Sequence, residues 1–139
     1  MTGHAQQQLL VVDASVVVAA LTGAARTGAW AMQTLADTHL AAPDLLPFEV
    51  ANVLRRHQVL GTLSPDVATL AHTDLLDLVF ELFPYEAVAD RVWALRGSLP
   101  SYDASYVALA ERLDAPLATV DARLTRAHGP NCRFITPPG

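Results

Sequence analysis

Lysine is absent from this chain: all nine basic residues are arginine. A phosphate-binding P-loop is thereby excluded, since its lysine reaches the β- and γ-phosphates, and the seven glycines nowhere form a GxGxxG. Cysteine is almost as scarce. Cys132 stands alone and can form no internal disulfide, which points to a reducing cytosol. No apolar run approaches the ~20 residues that span a bilayer. The longest, Leu9 to Ala25, has no Lys or Arg before it and is interrupted by Asp13 and Ser15, so a secretory signal is the poorer reading. A cytoplasmic protein without a membrane partner is expected.

What the chain has in quantity is apolar side chains, 52% of its 139 residues. That supplies a full core for one domain over residues 1–139, its body at about 9–136. A domain of this length buries roughly 68–70% of the surface that its unfolded chain exposes. The net charge of −5 at first argues against a nucleic-acid partner, but its distribution argues otherwise. Six of the fourteen acids lie within residues 66–90, where there is no arginine, leaving eight acids elsewhere against nine arginines. Arginine offers bidentate geometry to phosphate, so an RNA-binding face is compatible with this composition. Coding bias together with a solvated acidic helix explains the arginine usage equally well.

Residues 1–8 read as an irregular start. Leu9 to Val12 is a short unbroken apolar run, the signature of a buried parallel strand. A helix follows from Ser15 to near Gly23, then a second from Gly28 to Asp37. A strand at His39 to Ala42 is closed by Pro43. Pro47 suits the first turn of a helix that continues through Phe48 to Leu60 and stops at Gly61. Ser64-Pro65-Asp66 opens another, with a capping serine and a proline in first position. Leu78 to Phe83 is a strand candidate, Glu86 to Arg96 a helix ended by Gly97. In residues 101–124 an amphipathic helix is followed by a turn and a strand, Leu117 to Val120. Arg133 to Thr136 is an edge-strand candidate. Strands alternating with helices predict an α/β fold of three α/β/α layers around a twisted parallel sheet of four to five strands.

Asp13 follows the first strand, Asp121 follows the strand at 117–120, and Asp103 heads the helix that precedes that turn and strand. Each has an ordinary explanation. Asp13 and Asp121 suit helix caps, worth ~1 kcal/mol, and Asp103 is favoured by a helix dipole. Glu49 stands early in the otherwise apolar LPFEVANVLRR, on one helix face with Asn52, Val53 and Arg56. Together the ordinary explanations become costly. Two carboxylates ~4 Å apart repel by ~1–4 kcal/mol at effective dielectrics of 80 to 20, and a converging cluster persists by taking up protons or a divalent cation. Hard oxygen ligands without cysteine or histidine suit Mg²⁺ or Mn²⁺ rather than Zn²⁺. The histidines at 4, 39, 57, 72 and 128 show no paired metal-ligand spacing.

With these residues in view, VVDASVVVAAL, LPFEVANVLRR and LPSYDASYVALAERLDAPLATVDARL resemble the successive motifs of the PIN-domain ribonucleases, and within them the VapC-type toxins of bacterial toxin–antitoxin pairs. The resemblance extends over about residues 9 to 136, and the third block is its most specific part. It implies a Mg²⁺- or Mn²⁺-dependent endoribonuclease whose acidic quartet falls on Asp13, Glu49, Asp103 and Asp121. Asp13, Asp103 and Asp121 are then the metal ligands, Asp121 directly or through water, while Glu49 holds a second ion or orients the attacking water. The family's small hydroxyl residues match Ser15 and Thr119; Ala14 stands where relatives often carry threonine. In-line attack by water would leave a 5′-phosphate and a 3′-hydroxyl. Arg56, Arg123 and Arg126 are candidates for phosphate contacts. The resemblance further implies a cognate VapB-type antitoxin, a link to operator DNA only through that antitoxin, and a homodimer, for which apolar helices near Trp30 and Phe83 leave room.

Other acidic Mg²⁺-binding α/β domains fit poorly. Phospho-acceptor receivers and small haloacid-dehalogenase-type phosphatases neutralise phosphate with a lysine, and Asp13-Ala14-Ser15 lacks the second aspartate of the phosphatase motif. The stronger rival is a catalytically weak PIN domain that acts mainly as a binding and regulatory subunit through its antitoxin–operator complex.

Overall fold

The apolar run near the N-terminus forms β1, Gln8–Val12, whose last three residues are fully buried, as a strand covered on both faces must be. The computed structural model describes residues 8–23 and 25–139. Most of the expected irregular start therefore lies outside the described residues. Around β1 are set β2 (Thr38–Pro43), β3 (Phe80–Phe83), β4 (Leu117–Ala118) and β5 (Phe134–Ile135). All pairings are parallel and the order is β3-β2-β1-β4-β5. The chain moves outward from β1 to β2 and β3, then returns to the other side of β1 for β4 and β5.

That reversal decides the layers. Parallel crossovers are right-handed, so the helices of the two outward movements cover opposite faces. One face receives α1 (Ala14–Thr22), α2 (Ala25–Leu35), α3 (Leu46–Val59) and α4 (Pro65–Asp77). The other receives α5 (Ala89–Ala94), α6 (Ser101–Leu113) and α7 (Ala122–Thr125). The packing agrees: α1 lies against α2, α3 and α4, whereas α6 lies against α5, β1, β2 and β4. Helix α6 is buried from Ala104 through Ala110. The three-layer parallel architecture expected from the alternating pattern is the one observed.

Several boundaries differ from expectation, β3 starting at Phe80 rather than Leu78 among them, and three of the differences have a clear physical reason. Helix α2 begins at Ala25, so Gly28 lies within it. A Cβ at Gly28 would stand 2.5 Å from the backbone carbon of Gly23, so this glycine permits a close approach of two helices. The helix expected over 86–96 divides into a 3₁₀ turn, Tyr85–Ala87, and the short α5, broken at Val88, where φ is −127°. The buried stripe Val88, Val92, Leu95, Leu99 keeps a helical period through the break, which is why the sequence reads as one helix. Strand β4 stops at Ala118 instead of Val120: Thr119 N–H still donates to the Ile135 carbonyl at 3.0 Å, but the two amides after it leave the ladder for side chains. Val120 N–H donates to Ser15 Oγ at 3.0 Å, and Asp121 N–H to Thr119 Oγ1 at 3.0 Å.

Trp30 and Phe83 pack against the core rather than standing free. The large apolar side chains that do face solvent include Phe48, Val59, Leu60, Leu70, Leu76 and Val79.

Candidate active site

In an open parallel sheet, ligands bind outside the carboxyl ends of the strands, where the strand order reverses. Here that place lies between β1 and β4. Asp13 follows the last residue of β1, and Thr119 and Asp121 follow β4. Asp13 is a helix cap, as its neighbours suggest: its Oδ1 accepts from the Val16 amide at 3.3 Å. It is also the centre of a wider network. Ser15 Oγ donates to Oδ1 and Thr119 Oγ1 to Oδ2, both at 2.5 Å. Since the Thr119 hydroxyl also accepts from the Asp121 amide, it ties the two strand ends together. Thr119 is completely buried, and Asp13 is 8% exposed.

Burial pushes the Asp13 carboxyl above its ordinary range, partly offset by hydrogen bonds from Ser15, Thr119 and the amides of Val16 and Ser15. Glu49 reaches the same neighbourhood from the first turn of α3. Its Oε1 accepts a hydrogen bond from the Tyr106 hydroxyl at 2.5 Å. Burial raises its proton affinity, the Tyr106 bond lowers it, and the charges of Asp103 and Asp13 raise it. Asp103, half-buried, is raised first by desolvation and then by Asp121, with Arg123 opposing. The four acids are thus one electrostatic unit: Glu49 feels Asp13 and Asp103, while Asp103 feels Asp121.

Asp103 and Asp121 line a cleft of about 400 Å³ with Ser98, Pro100 and Arg123. Arg123 Nε lies 3.4 Å from Asp121 Oδ1, and that oxygen also caps α7 through the Arg123 amide at 2.9 Å. Arg56 lines a different groove, about 540 Å³ between α1 and α3, which opens at Ser15. Arg126 is exposed and lies outside the lining of either. Only Arg123 of the three arginines thus stands beside the acids.

The donor set is entirely carboxylate, with hydroxyl groups in support. Such hard oxygen ligands fit Mg²⁺ or Mn²⁺. Among the described residues no three His, Cys, Asp or Glu side chains converge closely enough to hold an ion between them. Tyr106 is a partner of the acids that the acids alone did not reveal. Its signal was in the sequence: it lies three residues after Asp103 on a wholly buried helix face, where a phenol needs a hydrogen-bond partner.

Comparison with known proteins gives a consistent set of likenesses. The model of the PIN domain family matches residues 10–130. The chain is 38% identical over 125 residues to Ribonuclease VapC1 of Mycobacterium tuberculosis, covering 89% of this chain and 94% of that one. Its fold is similar to the crystal structure of PAE2754 from Pyrobaculum aerophilum, with a TM-score of 0.65 and 26% identity over 91% of this chain and 83% of that one. It is also similar in fold to VapBC2 from Rickettsia felis bound to a DNA fragment from its promoter. There the TM-score is 0.62 at 11% identity, over 93% of this chain and 98% of that one.

Proposed function

The chain belongs to the PIN domain family, and from that premise we propose that it is the toxin of a toxin–antitoxin pair, a metal-dependent endoribonuclease. The observation that carries this reading is the tie between the two strand ends: Thr119 joins Asp13 to the Asp121 backbone at the sheet's switch point. Glu49 and Asp103 lie near enough to alter the proton affinity of the same cluster. Structural caps alone account for Asp13 and Asp121 singly, not for the run of repulsions that links Asp13 to Glu49, Glu49 to Asp103 and Asp103 to Asp121. A VapC ribonuclease 38% identical to this chain supports the reaction class.

Asp13, Asp103 and Asp121 are the proposed ligands of Mg²⁺, with Mn²⁺ as its substitute. Such an ion supplies charge neutralisation on the phosphate and lowers the pKa of water beside it. The chain's own groups do the rest. Ser15 and Thr119 fix the Asp13 carboxylate, so its oxygens are held before substrate arrives. Glu49, held by Tyr106, orients the water that attacks phosphorus in line with the departing 3′-oxygen. Arg123 contacts a phosphate oxygen at the mouth of the cleft, and Arg56 and Arg126 contact the strand further out. The products carry a 5′-phosphate and a 3′-hydroxyl.

The partners proposed are RNA as substrate, a cognate VapB-type antitoxin, a second copy of the chain, and operator DNA only through the antitoxin. The VapBC2 likeness supports the antitoxin, and the exposed apolar residues of α3 and α4 leave faces for protein partners. None of the described helices is long and apolar enough to cross a membrane. The cytoplasm, where RNA is available, is the proposed location.

The test is cleavage of total RNA by the purified, antitoxin-free chain in Mg²⁺, Mn²⁺ or EDTA, beside Asp103→Asn. Discrete cuts that need metal and disappear in the folded variant are expected. No cutting by folded wild type would sink the reading and favour a regulatory subunit.

A further inference from the structure

Beside the acidic cleft lies a second one of different character, about 440 Å³, at the carboxyl ends of β2 and β3. The first turn of α6 separates the two. Asp103 lines the acidic cleft, and the preceding residue, Tyr102, lines the other. Its walls are flat and apolar: Pro43, Phe83 and the rings of Tyr85 and Tyr102. The two tyrosines are 55% and 67% exposed, so their faces are open to a ligand. Two carboxylates, Asp44 and Glu86, complete the lining, and no basic side chain occurs among the described residues that form it.

This composition selects its occupant. A phosphate would meet two acids and no cation, so the strand's backbone is repelled. A neutral heteroaromatic base is not: tyrosine rings offer stacking platforms, the ordinary means by which single-stranded bases are held. Carboxylates at the rim demand hydrogen-bond donors, and base amino groups supply them. A second copy of the chain fits less well, because a twofold contact would set this patch, acids included, against itself.

We propose that this cleft is a base-recognition subsite for the RNA strand, taking a base next to the scissile phosphate and preferring guanine. Guanine is favoured because its adjacent imino and amino N–H groups match both oxygens of one carboxylate. Cytosine and adenine offer an amino group alone, and uracil a single imino N–H flanked by two carbonyls. The inference rests on the ribonuclease reading and adds to it a source of sequence preference, with Tyr102 and Tyr85 stacking and Glu86 or Asp44 accepting.

The experiment is binding in EDTA, where no cleavage is needed. Fluorescein-labelled hexauridine is compared with hexamers carrying one guanosine or one cytidine, using the full chain and fluorescence anisotropy. The single guanosine should tighten binding roughly fivefold or more, the low end for one bidentate base contact. Tyr102→Ala should weaken binding of all hexamers, and Glu86→Gln together with Asp44→Asn should erase the guanosine preference. Equal affinity for all hexamers, or a preference unchanged in these variants, would overturn the subsite. So would a Tyr102→Ala variant that sediments as a smaller species while keeping its base preference, which would make this face a contact between copies. Hexamers bound with the predicted preference, alongside RNA never cut in metal, would keep the subsite and reject the nuclease. Metal-dependent cutting without the preference would do the reverse.

Discussion

Tyr106 donates its hydroxyl hydrogen to Oε1 of Glu49 across 2.5 Å, linking α6 on one face of the sheet to α3 on the other. Burial and the neighbouring acids hold the phenol far above its ordinary range, so it remains a donor at every working pH. Tyr106→Phe removes the oxygen and leaves the packing. Glu49 then loses the bond that lowers its proton affinity, so the acid limb of the rate profile should move to higher pH. A bond to a charged group is worth ~1.5–3 kcal/mol, which makes a roughly tenfold loss of cleavage rate at neutral pH the expected minimum. RNA affinity should hold. Superimposable pH–rate profiles for the two proteins would show that Tyr106 only packs.

Stability should depend on pH through the same acids. Asp13, Glu49 and Asp103 are all raised, first by burial, from ordinary values of 3.8, 4.5 and 3.8. Just above that range the folded chain holds more protons than the unfolded chain, so stability falls as pH rises through the raised values. In EDTA, Asp103→Asn should therefore show a flatter decline in thermal midpoint than wild type as pH rises above the ordinary carboxylate values. Mg²⁺ should raise the wild-type midpoint more at the alkaline end, since an ion competes with protons for the same oxygens. Calorimetry with and without metal tests both signs.

Thr119→Val keeps the shape of a fully buried side chain and deletes its hydroxyl. The Asp121 amide loses its acceptor and Asp13 one donor. The expected cost is ~1–3 kcal/mol by urea unfolding, with a weaker stabilisation by Mg²⁺ as Asp13 is no longer fixed. Thr119→Ser should recover most of the second effect.

A different part of the molecule depends on Glu111. Its carboxylate receives Arg91 Nε at 2.6 Å and a second guanidinium nitrogen at 3.2 Å, and the Asn131 amide at 2.7 Å. Arg91 also donates to the Gly129 carbonyl at 2.8 Å, so the pair clasps α5, α6 and the loop before β5. Glu111→Ala should cost ~1–3 kcal/mol, the penalty for stranding charged and backbone donors. Cleavage per folded molecule should not change, because none of these groups contacts the acidic unit. A lowered rate at full folding would tie this clasp to the site.

Much of the site was legible because β1 and the apolar run at 117–120 lead straight into acids. A short apolar run ending in Asp13 or Asp121 states its own position at the sheet's edge. The coupling between them was not legible, since Thr119 meets Asp13 only after β4 has paired beside β1, and strand order is a tertiary outcome. Glu49 could be placed on a helix face, but its partner lies 57 residues away on α6. The error at residues 86–96 has the opposite origin. There the side-chain period persists through Val88 and Leu95 while the backbone leaves the helix, so pattern alone saw continuity. Of the arginines, only Arg123 lies beside the acids because α7 begins immediately after Asp121.

The sheet's ladders are unequal. β1 is matched to β2 over four residue pairs and to β4 over two, and β5 is joined to β4 over two. Asp13 is therefore fastened to the well-paired half and Asp121 to the sparsely paired half, with the Thr119 hydroxyl bridging them. Amide hydrogens at 118–121 should exchange with solvent far sooner than those of Leu10 and Val11. The acidic site thus spans a seam of unequal pairing, with Asp13 on its firm side and Asp121 on its yielding one.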